Sequence, residues 1–290
     1  HSMSPAEARS AIDVMFAAFR GNPAPVGRVE DRKLPGGPAG DVPVRIYSPP
    51  GRGPFGGLVF FHGGGWVIGN IETHDALCRD LTSRANIVTI SVDYRLAPEH
   101  KFPAAPEDCY AVTKWVGANT ALLNIEPGKV AVGGDSAGGN LAAVIALMAR
   151  DRGGPSIAFQ ALIYPVTDSS RDTASYHEFA KDGYILSKAD MDWFFGYYLK
   201  PGDENNPWVA PAKANDLSRL PPALVLTAGY DPLRDEGEAY GEALRKAGVP
   251  VKISRYEGVC HGFVSMAAAL DEGKRAVAEI ASELQKAVGV

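Results

Sequence analysis

Three places in this 290-residue chain hold side chains whose types suit acyl transfer. They are Ser136 in Gly134-Asp135-Ser136-Ala137-Gly138, Asp231 just past the apolar run ALVLT (223–227), and His261 in Gly258-Val259-Cys260-His261-Gly262-Phe263. A serine hydroxyl is a weak nucleophile near neutral pH and needs a base that is itself held in place. The G-x-S-x-G pattern follows a strand-like run (129–133) and opens a helical stretch (140–150). That strand–turn–helix setting exposes a nucleophilic serine, and the helix N-terminus behind it favours developing negative charge. His261 lies just after the strand-like run 251–256, whereas His62 sits in a glycine turn and His74, His100 and His177 have no comparable strand-end place. Asp231 is the carboxylate at a strand end between the two; Asp235 and Glu236 read instead as the acidic opening of a helix over 236–246.

The stretch HGGGWVIG (62–69) follows the apolar run LVFF (58–61). Three glycines in a row imply a close backbone approach that a Cβ would obstruct. Attack by Ser136 on a carbonyl creates an oxyanion, which main-chain N–H groups must meet at hydrogen-bond distance. The expected donors are the amides of Gly63, Gly64 and Ala137. A phosphate-cradling loop would need a nearby Lys or Arg and a helix opening directly from the glycines, yet Trp66-Val67-Ile68-Gly69 follows.

These groups need a frame. Short β-branched or apolar runs at 58–61, 87–92, 129–133, 159–164, 223–227 and 251–256 alternate with amphipathic stretches such as 107–116. Continuous apolar strands alternating with helices predict an α/β fold with a largely parallel sheet covered on both faces. A further strand is expected at 42–47. Ser4-Pro5-Ala6-Glu7 opens a helix, with Ile12, Met15, Phe16 and Phe19 at helical spacing. The alternation breaks between residues 165 and 222, where an aromatic helix (187–199) carries Trp193 and Phe194. We read this insertion, with the N-terminal helix, as a lid over the sheet's carboxyl edge. The expected division is an N-terminal cap and first strand (1–48), a core in two parts (49–164 and 223–290), and the cap insertion (165–222). Phe16, Phe19, Trp66, Trp193 and Phe194 are the expected pocket walls.

Composition narrows the function. With 46% hydrophobic and 22% charged residues and a net charge of −5, the chain lacks the basic footprint of nucleic-acid or anionic-membrane binding. No apolar run approaches a membrane span, and no secretory-type start is apparent. The His1-Ser2 ahead of Met3 reads as a cloning remnant outside the fold. Three widely spaced cysteines (Cys78, Cys109, Cys260) match no metal spacing and read as free thiols. The expectation is a soluble, cytoplasmic protein without metal or cofactor.

The motifs His62-Gly63-Gly64-Gly65-Trp66, Asp93-Tyr94-Arg95-Leu96-Ala97-Pro98-Glu99, Gly134-Asp135-Ser136-Ala137-Gly138, Asp231-Pro232-Leu233-Arg234-Asp235-Glu236 and His261-Gly262-Phe263 resemble the hormone-sensitive-lipase-like (bacterial family IV) branch of the α/β-hydrolases. The order Ser136, Asp231, His261 is also the order of that superfamily. The resemblance implies an eight-stranded, mostly parallel sheet with a helical cap, and cofactor-free hydrolysis of short-to-medium acyl esters. It implies Ser136 as nucleophile, His261 as base and acid, and Asp231 as the orienting carboxylate. It agrees with Gly63, Gly64 and Ala137 as oxyanion donors. Arg95 and Glu99 are expected to brace the site, and a homodimer through the last strand is expected. Three alternatives stay open: an amidase or deacetylase using the same residues, a lipase acting on long chains, and a non-catalytic ligand-binding relative.

Overall fold

A computed structural model describes residues 2–19, 21–180 and 184–290; His1 lies outside the described residues. Helix α1 (Pro5–Phe19) starts as the sequence predicts: Ser4 N–H donates to Glu7 Oε2 (2.8 Å) and Glu7 N–H to Ser4 Oγ (3.4 Å). Strands β1 (Arg28–Gly37) and β2 (Gly40–Ser48) follow as a hairpin. From β3 (Phe55–Phe61) the chain alternates through α2 (Ile71–Ala85), β4 (Ile87–Val92), α3 (Ala104–Ala118), β5 (Ile125–Asp135), α4 (Ala137–Asp151) and β6 (Phe159–Ile163). The insertion then carries α5 (Ala174–Phe179) and α6 (Lys188–Tyr198) before β7 (Ala223–Tyr230), α7 (Arg234–Lys246), β8 (Val251–Cys260) and α8 (Asp271–Val288) close the chain.

The eight strands form one sheet in the order β1-β2-β4-β3-β5-β6-β7-β8. β3 to β8 run parallel; only the β1/β2 and β2/β4 pairings are antiparallel. Every residue of β3, β4 and β6 is buried, which is why these strands read as unbroken apolar runs. One apolar layer joins α3, α4 and α7 to the sheet; the other joins α2 and α8 to its opposite face. β1 had no counterpart among the predicted strands. It alternates charges along an outer edge, and Leu34 alone of its residues is buried, so no hydrophobic period marks it.

The Asp93 turn touches the glycine turn through Tyr94, whose hydroxyl donates to His62 O at 2.7 Å, but the two residues expected to brace the site, Arg95 and Glu99, point elsewhere. Arg95 is committed to Asp108 of α3 through two bonds of 2.8 Å. Glu99 instead receives Arg9 of α1 (2.8 and 2.7 Å), while the same guanidinium donates to Val67 O and Ala97 O. The turn therefore tethers the N-terminal helix.

The tightest crossing in the fold lies where β5 becomes α4. A Cβ on Gly138 would stand 1.9 Å from the Phe61 carbonyl oxygen, and one on Gly134 2.3 Å from it. Gly138→Ala is therefore expected to destabilise the protein by about 3 kcal/mol or more, because backbone cannot yield as a side chain does. Gly258→Ala, with open space around its Cβ position, is expected to stay within about 0.5 kcal/mol of wild type in urea denaturation.

Candidate active site

Ser136 occupies the turn between β5 and α4 at φ 57°, ψ −118°, a left-handed backbone that non-glycine residues rarely hold. Such strain persists only where surroundings over-determine it. Here Ser136 N–H donates to Ile163 O (2.8 Å), and Ser136 O accepts from Asn140 N–H (2.9 Å) and Val166 N–H (3.3 Å).

The strands deliver two more groups to the same rim. Asp231 follows β7 and is fully buried; His261 follows β8 and is 8% exposed. His261 Nε2 lies 2.9 Å from Ser136 Oγ, and His261 Nδ1 lies 2.7 Å from Asp231 Oδ2. The second carboxylate oxygen accepts Leu233 N–H at 2.9 Å. Tyr164, at the end of β6, packs its ring 4.7 Å from the imidazole and limits its swing. Three side chains separated by up to 125 positions thus stand within hydrogen-bond reach in the predicted order.

The glycine turn departs from expectation at its first residue. Gly63 N–H donates to Asp135 Oδ1 at 2.9 Å, so it is not available to an oxyanion. Each glycine is required by a different neighbour within the protein. A Cβ at Gly63 would meet Asp135 Oδ2 at 2.5 Å, one at Gly64 the Ile68 carbonyl at 2.1 Å, and one at Gly65 the Phe194 ring at 2.2 Å. Among the described residues, the N–H groups of Gly64, Gly65 and Ala137 have no acceptor. Ala137 is the first residue of α4, where an unpaired N–H is inherent to helix geometry.

A cavity of about 410 Å³ opens over Ser136, His261 and the three glycines. Its walls come from α1 (Ile12, Met15, Phe16) and α6 (Trp193, Phe194), with Met266 beyond His261. Two of the expected wall residues lie elsewhere. Trp66 is fully buried, stacked on Tyr198 at 4.4 Å and tilted against Phe195, so it fills core beneath α6. Phe19 sits one helical step beyond Phe16, about 4.5 Å further along the axis. It lines a separate hollow with Leu77 and Val264 and is 38% exposed.

Sequence reasoning passed over two groups, Asp135 and His74. Asp135 is the variable position of the G-x-S-x-G pattern, and a carboxylate held among glycines and apolar residues implied a hidden partner. Burial alone would raise this carboxyl, but the charge and hydrogen bond of His74 (3.1 Å), with His62 and the Gly63 N–H, hold it below its ordinary range. His62, fully buried and beside the charge of His74, is pushed down to about 3 and stays neutral. Among the described residues no three His, Cys, Asp or Glu side chains gather to hold a metal ion, and no helix is long and apolar enough to cross a membrane.

This sheet order, with a strained serine after the fifth strand and an Asp–His pair at the ends of the last two, defines an α/β-hydrolase. Comparison with known proteins agrees: the model of the alpha/beta hydrolase fold family matches residues 58–265. LipN of Mycobacterium tuberculosis, a carboxylic ester hydrolase, is 48% identical over 245 residues, covering 82% of this chain and 65% of LipN. The carboxylesterase NlhH of the same organism is 42% identical over 266 residues, covering 90% of this chain and 83% of NlhH. The hyperthermophilic esterase of the archaeon Pyrobaculum calidifontis superposes with a TM-score of 0.95 at 46% identity, covering 99% of this chain and 95% of that one. The chain belongs to the α/β-hydrolase family, in its hormone-sensitive-lipase-like branch, and is a carboxylesterase.

Glu236 stands in the first turn of α7, as expected, and its side chain is buried there. Its Oε1 accepts Thr167 N–H (2.7 Å) and Asp168 N–H (3.2 Å), while Oε2 has no partner among the described residues. Burial raises this carboxyl to about 8, against which the two N–H groups work. A raised pKa contributes stability that is fully present below the ordinary value of 4.5 and is lost as pH rises through about 8. Thermal midpoints of the wild type are therefore expected to fall between pH 5 and 8 relative to Glu236→Gln, which cannot ionise. Parallel curves for the two proteins would show that Glu236 is charged throughout.

Proposed function

We propose that the protein hydrolyses short-to-medium acyl esters through an acyl-enzyme on Ser136. The observation that carries this reading is the unbroken chain of contacts from Asp231 through His261 to Ser136, at 2.7 and 2.9 Å. His261 takes the Ser136 proton as the hydroxyl attacks the ester carbonyl, then gives it to the departing alcohol. Water, activated by the same imidazole, attacks the acyl-enzyme and releases the acid, returning the proton to Ser136. Asp231 holds the proton on Nδ1 and stabilises the imidazolium without itself becoming protonated.

The oxyanion donors are the amides of Gly64 and Ala137, with Gly65 in place of Gly63. The support for that exchange is the prior commitment of Gly63 N–H to Asp135. Helix α1 and the segment 165–222 act as a cap over the two-part core. Their apolar side chains receive the acyl or alcohol group, and a cavity of about 410 Å³ lies near the small end of small-molecule sites. The three free thiols Cys78, Cys109 and Cys260 suit a reducing cytoplasm. β8 ends the sheet, and its outer edge would pair with the same strand of a second copy.

Ser136→Ala is expected to keep its fold by circular dichroism and lose at least about a thousandfold in kcat on p-nitrophenyl butanoate. Unchanged turnover in that variant would end the acyl-enzyme reading. Among p-nitrophenyl esters, butanoate and hexanoate are expected to exceed palmitate by roughly tenfold or more in kcat/KM, since the cavity cannot enclose the longer chain. Light scattering is expected to give about twice the chain mass of 30.8 kDa; a single-chain mass refutes the edge-to-edge dimer.

A further inference from the structure

Asp135 Oδ1 accepts the Gly63 N–H at 2.9 Å and lies 3.1 Å from His74 Nε2. An ionised carboxylate only accepts, so the imidazole proton on Nε2 points at it. His74 is fixed at its other nitrogen: Nδ1 is 2.8 Å from Thr73 Oγ1. That hydroxyl donates to Asn70 O (2.7 Å) and accepts Asn70 N–H (3.0 Å), within the capping box that starts α2. Phe16 and His62 pack on the imidazole at 5.5 and 5.7 Å. The end of β5, the start of α2 and the turn after β3 therefore meet at one buried carboxylate, one residue before Ser136.

We propose that Asp135 and His74 form a positioning pair that sets the oxyanion turn. Asp135 clamps Gly63, which rotates the next two peptides so that the Gly64 and Gly65 N–H groups face the carbonyl attacked by Ser136. His74 holds the carboxylate in the orientation that does so. Both act through Gly63 rather than on the reacting atoms. The inference rests on the acyl-enzyme reading given above.

The test uses the full chain with Asp135→Ala, Asp135→Asn, His74→Ala and His74→Gln, and Ser136→Ala as control. Three quantities are read: kcat and KM on p-nitrophenyl butanoate, Ki of a trifluoromethyl ketone that mimics the tetrahedral adduct, and the thermal midpoint. Asp135→Ala is expected to lower kcat about 10²- to 10³-fold, the cost of a lost oxyanion donor, with KM within about threefold. Its Ki should rise by the same factor as kcat falls, because the analogue needs the same amides. Asp135→Asn keeps an oxygen for Gly63 N–H and should recover about tenfold or more of that loss. His74→Ala should lose about tenfold in kcat, and His74→Gln, which keeps a donor, should restore most of it.

If Asp135→Ala does not fold, the two His74 variants give the same reading. A shifted thermal midpoint with kcat, KM and Ki all within threefold of wild type marks the pair as a fold contact and overturns the proposal. Residual activity in Ser136→Ala would instead sink the acyl-enzyme itself, so the two failures are distinguishable.

Discussion

The Phe61 carbonyl oxygen comes so near the Cα atoms of Gly134 and Gly138 that β3, β5 and α4 are locked to one another at a single point. Three consequences follow from that contact. The chain must reverse from strand to helix within one residue, which leaves Ser136 at positive φ. The strain of such a residue, about 1–3 kcal/mol, is offset by the bonds that Ile163, Asn140 and Val166 make to its peptide groups. And because Phe61 pairs with Gly134 in register, the chains leaving β3 and β5 emerge side by side. The glycine turn is therefore delivered beside the serine by sheet register, before any side chain of the site is considered.

Much of this was legible in the residues. Strands buried on both faces had to be continuous apolar runs, and the Ser, Asp and His side chains were marked by lying just past such runs. β1 was not legible because a charged edge strand buries one residue and shows no period. α5, with six residues, is too short to display one. The glycine triplet announced a close approach but not the atoms approached: a carboxylate, a carbonyl and a phenyl ring, one for each glycine. The direction of an aromatic side chain is likewise not written in its spacing. Trp66 turns inward because Tyr198 offers a parallel ring and full burial, and Phe19 overshoots the cavity that Phe16 lines. His74 was invisible because its partner lies 61 positions away, across the sheet edge, and nothing local to α2 signals it.

Helix α1 obeys a different balance from the sheet and the helices packed on it. No residue of α1 is buried, and the helix is held by polar tethers: Arg9 to Glu99, Val67 O and Ala97 O, and Asn70 Nδ2 to Asp13 Oδ1. The Arg9 hydrogen bonds hold the Glu99 carboxyl down at about 2, so this tether stays charged at any ordinary pH. Side chains such as Ile12, Met15 and Phe16 face the cavity. Their burial is completed by an apolar guest rather than by the fold, so part of the hydrophobic free energy of this helix is reserved for binding. That is a physical reason for a substrate roof to be made of a helix that is poorly anchored by its own packing.

Three buried carboxyls around the site differ in the partners that surround them. Asp231 has an imidazole nitrogen at 2.7 Å and one backbone N–H at 2.9 Å; Asp135 has an imidazole nitrogen at 3.1 Å and one backbone N–H at 2.9 Å. Glu236 has two backbone N–H groups and no imidazole, and burial carries it up to about 8. Two N–H dipoles are thus insufficient to hold a carboxylate charged here, whereas for Asp135 an imidazole plus one dipole outweighs the desolvation. The two Asp–His pairs are built differently: His261 faces its carboxylate through Nδ1 and His74 through Nε2, and their far nitrogens meet different groups. The far nitrogen of His261 meets a hydroxyl that can lose its proton into the reaction, while that of His74 meets Thr73, whose hydroxyl is bound into a helix cap. In the proposed mechanism a buried Asp–His unit thus moves a proton in one place and holds a backbone still in the other, according to what stands at the far imidazole nitrogen.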